Sequence, residues 1–308
     1  MKKVILCNAL KIFSVIFISA ILFSCQQEVR EVPGPNDFSF VFMTDIHLQP
    51  ERNAEAGFRT AIDTINKMKP EFVITGGDLI MDALGQRFGR ADSLYNLYEG
   101  MVEDFNMPVY NTMGNHEIFG IYDRSGVPKD HPEYGKKMFQ KRLNKRYYSF
   151  DHKGWHFMIL DGIKDTKKSR YLGMVDEEQM SWISDDLAGI DKSTPIVVST
   201  HIPLLTIFKQ IYAGTTLAND SGLVVSNGKE VIDLFTDHNL KLVLQGHLHA
   251  IEDIHINGTH FITGGAVSGA WWTGPNQGYE EGFVLVKVKD DEFEWEYVDY
   301  GWEVEVSD

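Results

Sequence analysis

The sequence predicts an α/β fold, and three observations predict it. From Phe38 to Met113, runs of β-forming residues alternate with stretches of helical spacing in the order β-α-β-α-β, which suggests parallel strands with helices packed on them. The second half again holds strand-like runs, so a sheet is expected in each half. The composition is 43% apolar and 24% charged over 308 residues, which is ordinary for a globular chain long enough to bury a sizeable core. No repeat, low-complexity stretch or internal linker divides it, and residues 38–308 read as one domain.

Each element has its own reason. Phe38 to Thr44 is a β-run. In residues 52–69, Phe58, Ala61, Ile62, Ile65 and Met68 fall on one helical face, and Pro70 ends the helix. Glu71 to Thr75 is the next strand. Residues 88–105 place Leu94, Leu97, Tyr98, Met101 and Val102 at helical spacing, and Pro108 to Met113 forms a third strand. Residues 118–146 read as irregular. Residues 147–151 and 155–161 suggest a hairpin turning at Lys153-Gly154. Asp176 with Gln179 has the pattern of a capping box before a helix at 177–188. Pro195 to Ser199 is a strand, residues 204–228 a surface excursion, Lys229 to His238 a helix, and Leu240 to Leu244 a strand. Runs at 259–263, 282–288 and 292–299 complete the chain.

The N-terminus reads as a targeting segment. A basic Met1-Lys2-Lys3 precedes the uncharged run Ile12 to Phe23, which is short against the roughly 20 residues of a membrane span. Leu22-Phe23-Ser24-Cys25 resembles a bacterial lipoprotein signal, although its third-from-last position is usually small rather than Phe. The expectation is a signal over 1–24, a lipid on Cys25, a tether over 25–37, and an exported protein anchored at the cell envelope, on its periplasmic face or the cell surface. Cys7 and Cys25 are the only cysteines, so cleavage before Cys25 leaves one thiol, best used as an anchor. A net charge of −15 argues against duplex nucleic acid as a partner. An anionic substrate must then be attracted locally.

Five short segments carry the chemistry, each just after a β-run. They are Asp45-Ile46-His47, Gly76-Gly77-Asp78, Gly114-Asn115-His116-Glu117, Ser199-Thr200-His201 and Gly246-His247-Leu248-His249. Each alone is weak, because an Asp-x-His or a Gly-His occurs by chance. Five in order at five strand ends are not weak. Ligands at the C-terminal ends of strands are a recurrent way to build an α/β site. Imidazole, carboxylate and amide donors without thiolate suit Mn, Fe, Zn or Ni. In an extended Asp-x-His, alternate residues face the same side, so Asp45 and His47 are expected to grip one ion, and His247 and His249 likewise share a side. Asp78, with two oxygens, has the means to bridge two ions.

At this point the chain resembles the calcineurin-like metallophosphoesterase family, whose motif order Asp-x-His, Gly-Asp, Gly-Asn-His-Asp/Glu, His, Gly-His-x-His is complete here over about residues 38–300. The resemblance implies a four-layer α/β/β/α sandwich, two mixed β-sheets packed face to face with helices outside. By matching positions it implies two divalent transition-metal ions, the first on Asp45, His47 and His249, the second on Asn115, His201 and His247, with Asp78 between them. It implies a phosphoric ester hydrolase in which a bridging hydroxide attacks phosphorus in line and His116 protonates the leaving group as general acid. Glu117 is expected to orient His116 or the neighbouring backbone. Small phosphodiesters or nucleotide-type esters are the favoured substrates, ahead of monoesters.

Residues 264–279, rich in Gly and holding Trp271, Trp272 and Tyr279, read either as a substrate wall, with Trp272 or Tyr279 at the substrate, or as packing, with one Trp plugging the core and the other under the loop. The basic cluster Lys136, Lys137, Lys141, Arg142, Lys145 and Arg146 reads as a solvated face rather than a phosphate site. The reading from a different class is a glycan- or ligand-binding lipoprotein on a non-catalytic scaffold; the complete ligand set speaks against it.

Overall fold

Strand β1 (Phe38–Met43), helix α1 (Ala54–Met68), strand β2 (Phe72–Thr75), helix α2 (Phe88–Val102) and strand β3 (Val109–Asn111) open the fold in the predicted order. They are taken from a computed structural model in which residue 34, residues 36–166 and residues 170–304 are described. The expected signal over 1–24, Cys25 and most of the tether lie outside the described residues. Among the described residues no helix is long and apolar enough to cross a membrane.

The chain continues through α3 (Lys137–Arg142), the hairpin β4 (Tyr148–His152) and β5 (Trp155–Ile159), the short pair β6 (Ile163–Asp165) and β7 (Tyr171–Gly173), then α4 (Glu177–Ala188) and β8 (Pro195–Thr200). Two short helices follow, α5 (Phe208–Tyr212) and α6 (Gly228–Asp233). The end of the chain is all strand, with β9 (Asn239–Gln245), β10 (Ile251–Ile256), β11 (Thr259–Gly264), β12 (Gly282–Lys289) and β13 (Glu292–Asp299). One sheet runs β13-β12-β1-β2-β3 and the other β10-β11-β9-β8-β5-β4. In the first, β1, β2 and β3 are parallel and β12 lies antiparallel to β1; in the second, β5, β8, β9 and β11 are parallel and the outer strands antiparallel.

The four layers follow from two-sided burial. Successive side chains of a strand point to opposite faces. Phe38, Phe40 and Phe42 of β1 therefore face one way with Phe72 and Ile74 of β2, and meet Trp155, Phe157, Ile159, Leu242 and Leu244 of the other sheet. Val41, Met43 and Val73 face the other way and join Phe58, Ala61, Ile62 and Ile65 of α1 in the outer core. Strands buried on both faces read as nearly continuous apolar runs, which is why the central ones were visible in the sequence. Helix α1 stops where Lys69 turns left-handed at φ 57°, one residue before Pro70.

The structure departs from the expected elements in three places. The capping box is half made: Asp176 accepts the Gln179 N–H, but the Gln179 side chain turns to Asp161, pairing with its N–H and its carbonyl at 2.8 Å each. The stretch 118–146 contains α3, and the excursion 204–228 contains α5. Strand β10 and the β6–β7 pair were missed, since Ile251-Glu-Asp-Ile-His-Ile is a charged, half-exposed edge and the pair offers three residues a side.

Phe157 sits fully buried between the sheets, its ring 5.2 Å from Phe72, 5.5 Å from Phe40 and 4.9 Å from Phe150. Phe157→Ala leaves a cavity between two rigid sheets and should destabilise the protein by about 3–5 kcal/mol. Guanidinium unfolding followed by fluorescence measures it; a loss below about 1 kcal/mol would mean that the sheets collapse onto the gap.

Candidate metal centre

Five loops leave the C-terminal ends of β1, β2, β3, β8 and β9 and converge. The convergence is not achieved by extended strands, as the sequence suggested. Asp45, His47, Asp78, His247 and His249 all have left-handed backbones, with φ of 55°, 46°, 50°, 73° and 49°. Asp and His are among the residues that tolerate this conformation, though at a cost, and it persists only where surrounding structure enforces it. Here the enforcement is visible. The loop of Asp45 is laced to that of Asp78 by Asp45 N–H to the Gly77 carbonyl (3.0 Å), His47 N–H to the Asp78 carbonyl (2.9 Å) and Leu48 N–H to the Leu79 carbonyl (3.0 Å). His247 N–H donates to Asp45 Oδ2 at 2.9 Å.

Glu117 is the buried anchor of the Asp78 loop. Its two oxygens accept the backbone N–H groups of Gly114 (2.7 Å), Leu79 (2.8 Å), Asp78 (3.0 Å) and Ile80 (3.2 Å). It orients backbone, not the His116 ring. Burial and the Asp78 charge push its pKa up to about 8, against the pull of His201 and of the N–H donors. Gly114 must be glycine for the same closeness: a Cβ there would lie 2.1 Å from Asp78 N. Gly77, at φ 90°, turns the chain so that Asp78 enters the site.

The sequence-predicted ligands are brought together. Asp45, His47 and His249 form one group of converging donor atoms, and Asp78, His201 and His247 another; His47, Asp78 and His116 form a third that joins them. His249 Nε2 lies 3.0 Å from His47 Nε2 and 3.3 Å from Asp45 Oδ1. His201 Nε2 lies 3.2 Å from Asp78 Oδ1 and 3.1 Å from the Asn115 amide oxygen. Asp78 Oδ2 faces His47 Nε2 at 3.7 Å and His116 Nε2 at 3.8 Å.

Two features test whether these residues fit metal ions. First, three imidazoles have their outward nitrogen fixed by a backbone carbonyl: His201 Nδ1 by Gly76 (2.8 Å), His249 Nδ1 by Gly269 (2.6 Å) and His247 Nε2 by Gly222 (2.8 Å). An N–H held outward leaves the other nitrogen's lone pair aimed inward, which is the usual second contact of a metal-bound histidine. Second, Asp45 Oδ1 is buried without a hydrogen-bond partner. Buried charge of this kind is met by pairing or by a metal. The residues fit.

The protonation pattern carries the same message. Burial works against the Asp45 carboxylate, but the His249 charge and the His249 and His47 rings that face it hold it well below its usual range. Burial likewise opposes Asp78, and the His201 and His116 charges overcome it and lower its pKa. Burial lowers His47 and His247 to about 4, keeping both neutral. His201 is raised to about 9, and His249 is raised too, because the carboxylates outweigh the burial. The carboxylates draw positive charge into the cluster, and imidazolium is what the chain itself can offer.

The substrate wall is arranged differently from expectation. Trp272 is buried in the core, its indole N–H donating to the carbonyls of Ile46 (2.9 Å) and His47 (3.1 Å). It supports the ligand loop from behind. Tyr279 meets Tyr212, hydroxyl to hydroxyl at 3.3 Å. The ring beside the ligands is Trp271, 4.5 Å from the His249 ring. The sequence flagged the loop, but nothing in a Trp-Trp pair tells which one turns inward. Tyr171, 6.4 Å from the His247 ring, was missed because β7 was missed. Four of the six residues of the basic cluster are engaged in ion pairs, Lys136 and Arg146 with Asp161, Lys141 with Glu133, and Arg142 with Asp92.

Two packed mixed sheets with Asp, Asn and His side chains gathered at their C-terminal ends define an α/β protein with candidate metal-binding groups. Residues 38–250 match the calcineurin-like phosphoesterase family, and the chain belongs to it. The probable cyclic nucleotide phosphodiesterase of Xenorhabdus bovienii is 22% identical over 248 residues, 77% of this chain and 88% of that protein. One of Fibrobacter succinogenes is 23% identical over 206 residues, 67% of this chain and 68% of its own length. The fold is shared with a dimetal phosphatase of Danio rerio, with a TM-score of 0.64 at 15% identity, over 86% of this chain and 96% of the other.

Above about pH 8, where Glu117 is a carboxylate, Glu117→Gln keeps the shape but turns one acceptor oxygen into a donor facing N–H groups. Stability should fall by about 1–3 kcal/mol, and equilibrium dialysis should show weaker manganese binding. Unchanged manganese affinity would remove Glu117 from any part in shaping the centre.

Proposed function

We propose that this protein is a metal-dependent phosphoric ester hydrolase acting on phosphodiester or nucleotide-type substrates. One observation carries the proposal: six buried or half-buried carboxylate and imidazole side chains from four loops converge in two groups, with three ring nitrogens fixed outward by backbone carbonyls. Asp45, His47 and His249 would hold one ion, Asn115, His201 and His247 the other, and Asp78 would span them. Such a pair, when bound, supplies a lowered pKa for water and neutralisation of phosphoryl oxygens. The phosphodiesterase relatives named above support the diester over the monoester.

His116 is the proton donor in this reading. Its Nδ1 side is fixed by the Met81 carbonyl, and its Nε2 points to the cluster beside Asp78, on a side chain that is 21% exposed. Every other imidazole of the cluster is less open than this or is fixed among the ligands. The Met81 carbonyl takes up Nδ1, which leaves Nε2 as the ring position for passing a proton to a departing alkoxide and recovering one from solvent.

Elemental analysis of the protein, with turnover of bis(p-nitrophenyl) phosphate and p-nitrophenyl phosphate on the same sample, tests the proposal. About two ions per chain, as a two-metal site requires, and faster diester cleavage are expected; no metal and no turnover after adding Mn, Zn or Fe would refute it. His116→Ala should lower diester kcat by at least about 100-fold with metal content unchanged. An unaltered kcat would take the acid role away from His116.

A further inference from the structure

Two aromatic surfaces flank the ligand cluster, one against each group of ligands. The first is Trp271. Its indole lies 4.5 Å from the His249 ring and 5.9 Å from the His47 ring, yet it remains 38% exposed. Both Trp271 and Trp272 have left-handed backbones, at φ 55° and 67°. For residues this bulky that is a true outlier, held only where the surroundings enforce it. Trp272 enforces it from the core through its bonds to Ile46 and His47, and Arg52 Nη1 fixes the turn by donating to the Trp271 carbonyl at 2.9 Å. Two consecutive strained residues thus leave one large ring open beside His249 and His47. A loop built only to fill the core would not require a large ring at the outward position.

The second surface belongs to the other group. A cavity of about 660 Å³ is lined by Lys164, Arg170, Tyr171, Met174, Ser221 and Gly222. It touches the centre twice: Tyr171 meets the His247 ring edge-on at 6.4 Å, and the Gly222 carbonyl accepts the His247 Nε2–H. Its size is that of a small-molecule site. Its walls combine an aromatic ring with two cations in a chain of net charge −15, so it favours an arm that is both ring-bearing and anionic.

We infer that the centre takes a linear phosphodiester lying across the ligand cluster, with one organic arm on Trp271 and the other, itself anionic, in the Tyr171 cavity beside Lys164 and Arg170. A cyclic phosphodiester carries both ester oxygens on one sugar and has a single arm, so it occupies one surface at a time. The inference rests on the phosphoester reading given above and refines it to linear esters with two arms.

The test uses manganese-loaded protein, a linear diadenylate with a terminal phosphate, and a cyclic adenylate. Trp271→Ala and Tyr171→Ala should each raise KM for the linear ester about tenfold, the size of one lost base stack. The double variant should raise it about 100-fold, because separate contacts add. For the cyclic ester, the double variant should lose no more than about tenfold in all, because only one surface is occupied in any pose. Calorimetric binding of the linear ester to the same variants carrying His116→Ala gives the steps as Kd, without turnover. Turnover with KM and Kd indifferent to either substitution would overturn the inference and leave the hydrolase reading standing. Binding with the expected steps but no turnover in the His116 protein would do the reverse. Neither binding nor turnover would overturn both.

Discussion

A carboxylate with almost no access to water has to be met by positive charge, and Asp78 is such a carboxylate. It is 2% exposed, and its oxygens face His201, His47 and His116 while accepting the His116 backbone N–H. It belongs to two of the converging groups and is the atom-level link between them. The local architecture serves to hold it there. Gly77 and Gly114 give the close approach, Glu117 gathers the N–H groups of the loop that carries it, and Tyr95 hydroxyl donates to the Glu117 carbonyl at 2.8 Å from the outer core. Leaving Asp78 charged and unpaired would be among the most expensive defects a protein of this size can carry.

The strain of the site is tolerable because the scaffold beneath it is stiff. Five candidate ligands in left-handed conformations have a cost of order 1–3 kcal/mol each in a free chain. That cost is offset by the packing below: aromatic rings of β1, β2, β3, β4 and β5 interdigitate between the sheets, with Phe40 stacked on Phe72 at 5.1 Å and Phe150 on Tyr110 at 3.9 Å. A close-packed interior transmits little movement, so the strand ends stand at fixed positions and the short loops have no room to relax.

Much of this was legible in the sequence, for reasons that can be assigned residue by residue. The parallel strands are buried on both faces, so Phe38 to Met43 and Phe72 to Thr75 announce themselves as apolar runs. The candidate ligands lie immediately after such runs, so locating the strands located Asp45, Asp78, Asn115, His201 and His247. What failed was whatever depends on a single torsion or on a partner distant in sequence. The left-handed turns at Asp45 and His47 leave no trace in residue identity, since Asp and His sit as readily in extended chain. The swap of roles between Trp271 and Trp272 is decided by one carbonyl at Ile46 and the space beside Gly57, where an added Cβ would lie 2.2 Å from the Trp272 ring. Strand β10 is an edge, and edges carry charge to discourage pairing, which erases their periodicity.

The adjacent tryptophans also show how one strained turn can fill the core and present an open ring together. Trp272 is worth its strain as a core side chain: its ring fills the space over Gly57 of α1, and its N–H satisfies two carbonyls of the ligand loop, groups that would be costly to bury unpaired. Once that ring is committed, the left-handed backbone forces its neighbour outward, and outward at this point of the fold means over His249. The Gly269 carbonyl in the same loop fixes the His249 ring at 2.6 Å. The loop that orients the ligand therefore also sets the ring beside it. An exchange of Trp271 for a smaller residue removes surface from the open side of His249 without touching the bonds that hold the loop, so here the exposed ring is separable from the supporting one. At Tyr171 the same division holds: its ring faces the cavity, while the Gly222 carbonyl, not the tyrosine, fixes His247.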